Sequence, residues 1–234
     1  TSSKVTKIQE SQDGKAIISY ENKKGEHELI SDKVLVATGR EPNIEGLNIE
    51  ASGVLLKENG RGIKVNDTMQ TSNAHIYAIG DVTDIIQLAH VASHQGIIAV
   101  DKILNKDVKM DYTAVPNVIF TYPEIATVGI GEGQAKEKGI DITVNKIPFT
   151  SNGKALAMNE ARGFVKLIKS NDTGKIIGGS IIGPDASALI STLTTIVANG
   201  LSLSEINKTI FPHPTTSEII GEVALDMGIG AIHT

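Results

Sequence analysis

The sequence predicts a fold of two kinds, an α/β part followed by an α+β part. Val34–Ala37 is a continuous apolar run, the pattern of a strand buried on both faces. His75–Ile79 is rich in strand-forming residues, stops at Gly80-Asp81 and leads into a helical pattern over Leu88–Leu104. Beyond Pro116, strands and turn signals alternate with helices, which predicts an antiparallel sheet that carries helices.

Length, charge and composition exclude several kinds of protein and of functional site. The 234 residues, 40% hydrophobic and 21% charged, suffice for one or two globular domains. The formal charge of −5 disfavours a nucleic-acid partner, and no apolar run approaches the roughly 18 residues of a membrane helix. The absence of cysteine excludes disulfides, thiolate nucleophiles and cysteine metal sites from these residues.

The first stretch predicts a meander of three strands with polar tips. Lys4–Gln9, Ala16–Tyr20 and His27–Ile30 have strand patterns, and turn signals at Asp13-Gly14 and Lys23–Gly25 separate them. The apolar run at Val34–Ala37 follows as a fourth strand.

The stretch after Pro116 predicts four strands and four helices. The strands are expected at 117–120, 142–149, 163–169 and 175–182. Helices are expected at 132–138, at 186–197 behind the cap residue Asp185, in a short segment opened by the capping box Ser202-x-x-Glu205, and at about 216–227.

His213 is the first candidate for a functional side chain. Pro212 and Pro214 hold its backbone extended, so that a stiff loop presents the imidazole. Glu218, five residues later, is placed to accept a hydrogen bond from the ring and raise the basicity of its other nitrogen. The alternative is a capping box in which Glu218 bonds to the amide of Thr215, and spacing alone favours this cap.

Asp81, His90 and His94 are further candidates for binding residues. Asp81, at the carboxyl end of a predicted strand, would either hold a ligand hydroxyl or close a turn. His90 and His94 have a spacing that can hold zinc, but without an obvious third ligand we expect no metal. The dinucleotide fingerprint G-x-G-x-x-G is absent, because Gly129–Gln134 and Gly178–Gly183 both fail the pattern.

Several motifs together resemble the flavoprotein disulfide reductase family, and within it the dihydrolipoamide dehydrogenase branch. They occur in the family's order over essentially the whole chain, at Ala37–Asn43, Ile76–Val82, Leu88–His90, Val118–Glu124, Asn152–Ala155, Gly163–Lys166, His213–Glu218 and Ala231–His233. The resemblance implies partial NAD- and FAD-binding Rossmann-like segments followed by a complete interface, or dimerisation, domain. It also implies a C-terminal half that lacks the redox cysteine pair and is inactive alone.

The resemblance assigns boundaries and roles. Residues 1–40 would be the tail of the NAD domain, 41–112 the returning part of the FAD domain and 113–234 the interface domain. His213 would be the catalytic base in the partner subunit's site, oriented by Glu218. The FAD contacts would come from Asp81, Gln87, Leu88, Ala89 and His90, although the family usually has methionine or a similar residue at Gln87, and Gly39 would lie beside NAD.

The implied enzyme is a homodimer that serves the lipoyl domains of a 2-oxo acid dehydrogenase complex, in the bacterial cytoplasm or the mitochondrial matrix. Three alternatives remain at this point. One is a glutathione-reductase-like enzyme, although Ile219 stands where that branch typically has a second acidic residue. The others are a transhydrogenase without redox cysteines and a non-catalytic dimerisation module.

Overall fold

The structure, a computed structural model, describes residues 1–233 and opens with an antiparallel sheet of three strands. These are β1 (Lys4–Glu10), β2 (Ala16–Asn22) and β3 (Gly25–Ser31), in the order β1-β2-β3. The predicted meander is confirmed. Its two hairpins pair neighbouring strands through local turns, which is the arrangement that local turn signals can specify.

The strand predicted at Val34–Ala37 is wrong. This segment is irregular, and the side chain of Leu35 is 90% exposed while Val36 is 68% exposed. An apolar run forms a buried strand only where neighbouring strands take up its backbone hydrogen bonds. Within residues 1–233, no strand pairs with this segment.

The middle of the chain is built from loops, a short helix and one long helix. The short helix α1 is Ile49–Ser52, a 3-10 turn spans Gly80–Thr83, and the long helix α2 is Ala89–Ile103, which confirms the helix prediction. The strand predicted at His75–Ile79 is wrong, since it forms only a single bridge, from Tyr77 to Gln70.

The part of the chain after Pro116 contains an antiparallel sheet, as the sequence predicts, but with five strands where four were expected. The strands are β4 (Asn117–Ile119), β5 (Glu124–Gly129), β6 (Ile142–Pro148), β7 (Phe164–Ser170) and β8 (Ile176–Gly183). Their order is β4-β5-β8-β7-β6, so the last strand in sequence lies at the centre. The predicted strand at 117–120 ends one residue early, and β5 is an additional strand.

Two helices of this part cover the sheet. Helix α5 (Ala186–Ala198) packs on β5 and β8, and α7 (Glu218–Asp226) packs on β6 and β7. Shorter helices lie between them, namely α3 (Glu132–Glu137), α4 (Gly153–Ala157), α6 (Leu203–Ile206) and a 3-10 turn at Phe149–Ser151. The main core lies between sheet and helices and includes the fully buried side chains of Phe149, Leu167, Ile181, Leu193 and Ile220.

Two helix starts refine the predictions. Asp185 is the residue before α5, but its side chain does not cap that helix, and it instead accepts a hydrogen bond from the Thr216 hydroxyl at 2.9 Å. Glu205 accepts a hydrogen bond from the amide of Ser202 at 2.7 Å, as a capping box requires. Within residues 1–233, no helix has both the length and the apolar character needed to cross a membrane.

The core position of Leu193 gives the first testable prediction. Leu193→Ala removes a fully buried side chain and leaves a cavity, so it should lower the free energy of unfolding by about 2–5 kcal/mol. Leu35→Ala is the matched control, because a side chain that is 90% exposed should change it by less than about 0.5 kcal/mol. Urea denaturation measures both. A large cost at Leu35 would contradict the exposed placement of residues 34–37.

Candidate active site

The loop that carries His213 is anchored on both sides. The ring of Phe211 packs on Gly221 of α7 so closely that a Cβ at Gly221 would lie 2.9 Å from it. The side chain of the buried Asn152 donates a hydrogen bond to the Thr215 carbonyl at 3.0 Å. With the Thr216–Asp185 bond, these contacts hold the loop against α7, α4 and the start of α5.

The structure brings His213 and Glu218 together. Nδ1 of His213 lies 2.9 Å from Oε1 of Glu218. Oε2 of the same carboxylate accepts a hydrogen bond from the Thr215 amide at 2.8 Å. The two interpretations of Glu218 therefore hold at once, since one oxygen bonds to the amide at the start of the helix and the other to the imidazole.

The electrostatics favour an ionised Glu218. Partial burial raises the pKa of its carboxyl, but hydrogen bonds from the Thr215 amide and from His213, with the charge of His213, outweigh this effect. The pKa of Glu218 therefore lies below its ordinary value. An ionised carboxylate only accepts hydrogen bonds, so Nδ1 of His213 is the donor, and in the neutral ring Nε2 carries the lone pair.

Exposure differs between the two partners. The side chain of Glu218 is 23% exposed, whereas that of His213 is 78% exposed. The imidazole is therefore open to a molecule arriving from outside this chain, while the carboxylate bonded to it is largely enclosed. An imidazole with a free Nε2, backed by a carboxylate, can take a proton and return it.

Arg40 binds two of the residues predicted to contact FAD, Asp81 and Gln87. Its Nη1 lies 2.9 Å from Oδ2 of Asp81, and its Nη2 donates a hydrogen bond to the carbonyl of Gln87. Arg40 lies within the Ala37–Asn43 motif, which assigns it no role. A basic residue directly after Gly39 and far in sequence from Asp81 offered no local signal for this pairing.

Gln95 is a further residue that sequence reasoning missed. It is fully buried in α2; its Oε1 accepts a hydrogen bond from the Gly80 amide at 2.6 Å, and its Nε2 donates to the Tyr112 hydroxyl at 2.8 Å. Gln95 thus fixes the turn that carries Asp81 against α2. One sequence signal could have found Gln95, namely a polar residue at a position where the predicted helix otherwise has apolar residues.

The other predicted cofactor residues lie around the start of α2. Leu88 is the residue before the helix, and Ala89 begins it. Nε2 of His90 lies 2.9 Å from the Pro116 carbonyl. Gly39 is exposed with φ of +117°, a conformation that favours glycine.

These residues fit the groups that the resemblance implies. Asp81 remains 46% exposed beside Arg40, and a carboxylate oxygen there can accept from a sugar-like hydroxyl. The first amides of a helix lack acceptors within it, and at the start of α2 this leaves those of Ala89 and His90 for an anion or a polar ring edge, because Val91 and Ala92 donate to the Leu88 carbonyl. Within residues 1–233, no three histidine or acidic side chains are grouped to hold a metal ion, His90 and His94 included.

No hydrogen bond within residues 1–233 links the His213 loop to the group around Asp81. The acid–base pair and the predicted cofactor contacts are thus two separate constellations of this chain.

Sequence comparisons match both parts of the chain. The family model described as pyridine nucleotide-disulphide oxidoreductase matches residues 1–96, and the dimerisation domain of the same name matches 115–224. A dihydrolipoyl dehydrogenase of Chlamydia muridarum is 46% identical over 83% of this chain and 42% of its own length. One from Bacillus subtilis is 40% identical over 96% of this chain and 47% of its own length.

Solved structures agree with these matches. LpdA from Mycobacterium tuberculosis has a TM-score of 0.87 at 28% identity, with 96% of this chain and 48% of that chain covered. The flavoprotein disulfide reductase RclA from Escherichia coli, described as induced by HOCl, has a TM-score of 0.81 at 28% identity, with 94% and 50% covered. The chain spans about half the length of the relatives that it matches.

The lowered pKa of Glu218 predicts a pH-dependent contribution to stability. A carboxyl whose folded-state pKa is depressed stabilises the fold above its ordinary pKa of 4.5, and this contribution is lost as the pH falls through the lower folded value. Glu218→Gln should therefore lower the free energy of unfolding by about 1 kcal/mol at neutral pH and by much less at about pH 3. Chemical denaturation at the two pH values measures the difference.

The matched control is Glu26→Gln, which alters an exposed carboxylate of β3 and should leave stability within about 0.5 kcal/mol at both pH values. A cost for Glu218→Gln that is equally large at about pH 3 would contradict the role of its charge.

Proposed function

Because this chain belongs to the pyridine nucleotide-disulphide oxidoreductase family, we propose that it supplies the acid–base pair and the subunit interface of a dihydrolipoyl dehydrogenase, which oxidises dihydrolipoamide with NAD⁺. The single observation that carries the proposal is the exposed His213 imidazole, bonded at 2.9 Å to an enclosed Glu218 carboxylate. The names of the curated relatives support the choice of substrate.

The residues of this chain perform the proton transfer. Only a thiolate attacks a disulfide efficiently, and a dithiol is mostly protonated near neutral pH. Nε2 of His213 takes the proton from a substrate thiol, and the thiolate then attacks a disulfide. A mixed disulfide forms as the original S–S bond breaks, and the other sulfur leaves as a thiolate. Glu218 stabilises the imidazolium that forms and keeps its Nδ1 in the donor state. Because the 234 residues hold no cysteine, that disulfide belongs to sequence outside them.

FAD and NAD would supply the electron transfer when bound. Asp81 would accept from the ribityl hydroxyls of FAD, held in place by Arg40 and by the turn that Gln95 fixes. Gln87, Leu88, Ala89 and His90 would lie along the flavin at the start of α2, and Gly39 would lie beside the nicotinamide nucleotide. The exposed Asp81 carboxylate and the start of α2 suit these cofactors, which supports the assignment of these contacts.

The proposed domain boundaries follow from the same family resemblance. We assign residues 1–40 to the NAD domain, 41–112 to the FAD domain and 113–234 to the interface domain. The separate sheets β1–β3 and β4–β8, and the family matches to residues 1–96 and 115–224, support the division between the interface domain and the rest.

A homodimer is supported by the match to a dimerisation domain and by apolar side chains on the surface of that part. Phe120 is 79% exposed, Tyr122 is 84% exposed and Ile210, three residues before His213, is 94% exposed. Exposed apolar patches on soluble proteins mark interaction sites. In such a dimer His213 would act at the cofactors of the partner subunit, which agrees with its separation from the Asp81 group.

The lipoyl domains of a 2-oxo acid dehydrogenase complex are the proposed partners, because they carry the dithiol substrate. The bacterial relatives support the cytoplasm as the location. A second candidate is a flavoprotein disulfide reductase with another disulfide substrate, favoured by the similarity to RclA. The two candidates share the His213 chemistry and differ in the substrate that is turned over.

A chimera tests the proposal directly. In it, this chain replaces the matching half of the Bacillus subtilis dihydrolipoyl dehydrogenase, so that FAD, the disulfide and the acid–base pair occur in one polypeptide. We expect dihydrolipoamide:NAD⁺ turnover, and His213→Gln should lower kcat by about 10²–10⁴-fold, the range for loss of a general acid–base group. Steady-state kinetics at saturating NAD⁺ measure both.

His94→Gln in the same chimera is the control, since it removes an exposed histidine of α2 and should leave kcat within about twofold. The proposal is wrong if the chimera binds FAD and turns over dihydrolipoamide equally well without His213. Turnover of a different disulfide in place of lipoamide would favour the second candidate.

The chain alone gives a further prediction. Since it contains no cysteine, the purified 234-residue polypeptide should show no dihydrolipoamide:NAD⁺ oxidoreductase activity, with or without added FAD. An NADH absorbance assay at 340 nm detects such turnover, and measurable activity would contradict the assignment of the redox disulfide to other sequence.

A further inference from the structure

A second histidine–carboxylate pair joins Glu222 of α7 to His233 of the C-terminal segment. Nδ1 of His233 lies 2.8 Å from Oε1 of Glu222, and Oε2 of Glu222 accepts hydrogen bonds from the amides of Ile232 at 2.9 Å and His233 at 3.2 Å. The side chain of Glu222 is only 12% exposed. One carboxylate thus binds three donors from the C-terminal segment.

The second pair repeats the chemistry of the first on the same helix. Glu218 and Glu222 are four residues apart, so their side chains are neighbours on one face of α7. Each accepts from an imidazole Nδ1 through one oxygen and from backbone amides through the other. Both carboxylates line one cavity of about 170 Å³ between α7 and the segment that runs from α6 to Phe211.

The closeness of the two carboxylates has an electrostatic consequence. In general, like charges four residues apart on a helix repel each other, and a nearby positive charge stabilises both. Burial raises the pKa of Glu222, but bonds from His233 and the amides outweigh it, so that this pKa is lowered. The charge of His233 also acts on Glu218 and lowers its pKa.

We propose that Glu222 and His233 are positioning residues for the His213–Glu218 pair. They fasten the C-terminal segment to α7, and a protonated His233 places a positive charge on the helix face that carries both carboxylates. Neither residue touches the substrate. This role rests on the proposed function, in which an ionised Glu218 orients the base, and it adds a second layer of residues behind that carboxylate.

The test is the titration of Glu218 in the purified 234-residue chain, followed by NMR of ¹³C-labelled glutamate carboxyls and assigned with Glu218→Gln. His233→Gln removes the positive charge and should raise the pKa of Glu218 by about 0.2–0.5 unit, the size expected for one charge several Å away near a protein surface. His233→Lys keeps the charge and should restore most of the shift. His94→Gln, on α2, should change nothing.

Hydrogen exchange tests the fastening of the C-terminal segment. Glu222→Ala removes the acceptor, so the amide of Ile232 should exchange at least about tenfold faster. Unchanged Glu218 titration in His233→Gln, failure of His233→Lys to restore it, or unchanged exchange in Glu222→Ala would each overturn the proposal. These readouts need no turnover, so they are independent of the chimera experiment that tests the proposed function.

Discussion

The two oxygens of the Glu218 carboxylate connect the parts of the proposed acid–base site. One accepts from the amide of Thr215 at the entry to α7, and the other accepts from Nδ1 of His213. A bond to the amide fixes where the loop meets the helix, and a bond to the ring fixes how the loop presents its imidazole. Because one rigid group makes both, a change in the start of the helix changes the orientation of the base as well.

The rest of the interface part stabilises this connection. Sheet and helices form a core in which Phe149, Leu193 and Ile220 are fully buried, and α7 is one wall of that core. Helix α7 is therefore a rigid support for Glu218, and Asn152 and Phe211 hold the loop against it. An exposed base on a rigid support suits a proton transfer to a molecule that arrives from outside.

The sequence predicted the features that depend on local pattern. Four of the five strands of the larger sheet, the helices α2 and α5, and the capping bond of Glu218 to Thr215 all follow from short spacings or periodic apolar residues. The segments at 34–37 and 75–79 were predicted wrongly as strands, because apolar character indicates a tendency toward burial and does not identify the neighbour that a strand requires.

Long-range contacts of the site also escaped prediction. Arg40 meets Asp81 from 41 positions away, and Asn152 meets Thr215 from 63 positions away. Both contacts depend on how separate elements pack, which no local spacing reveals. At Glu218, spacing favoured the cap over the orienting acid, but a single carboxylate has two oxygens and makes both bonds.

The tautomer of His213 tests the central claim most directly. If Glu218 orients the ring, ¹⁵N NMR of histidine-labelled chain should show the neutral His213 protonated at Nδ1, with Nε2 carrying the lone pair, and Glu218→Gln should weaken that preference. A neutral His213 protonated mainly at Nε2, or a tautomer equilibrium that is the same in Glu218→Gln, would contradict the account.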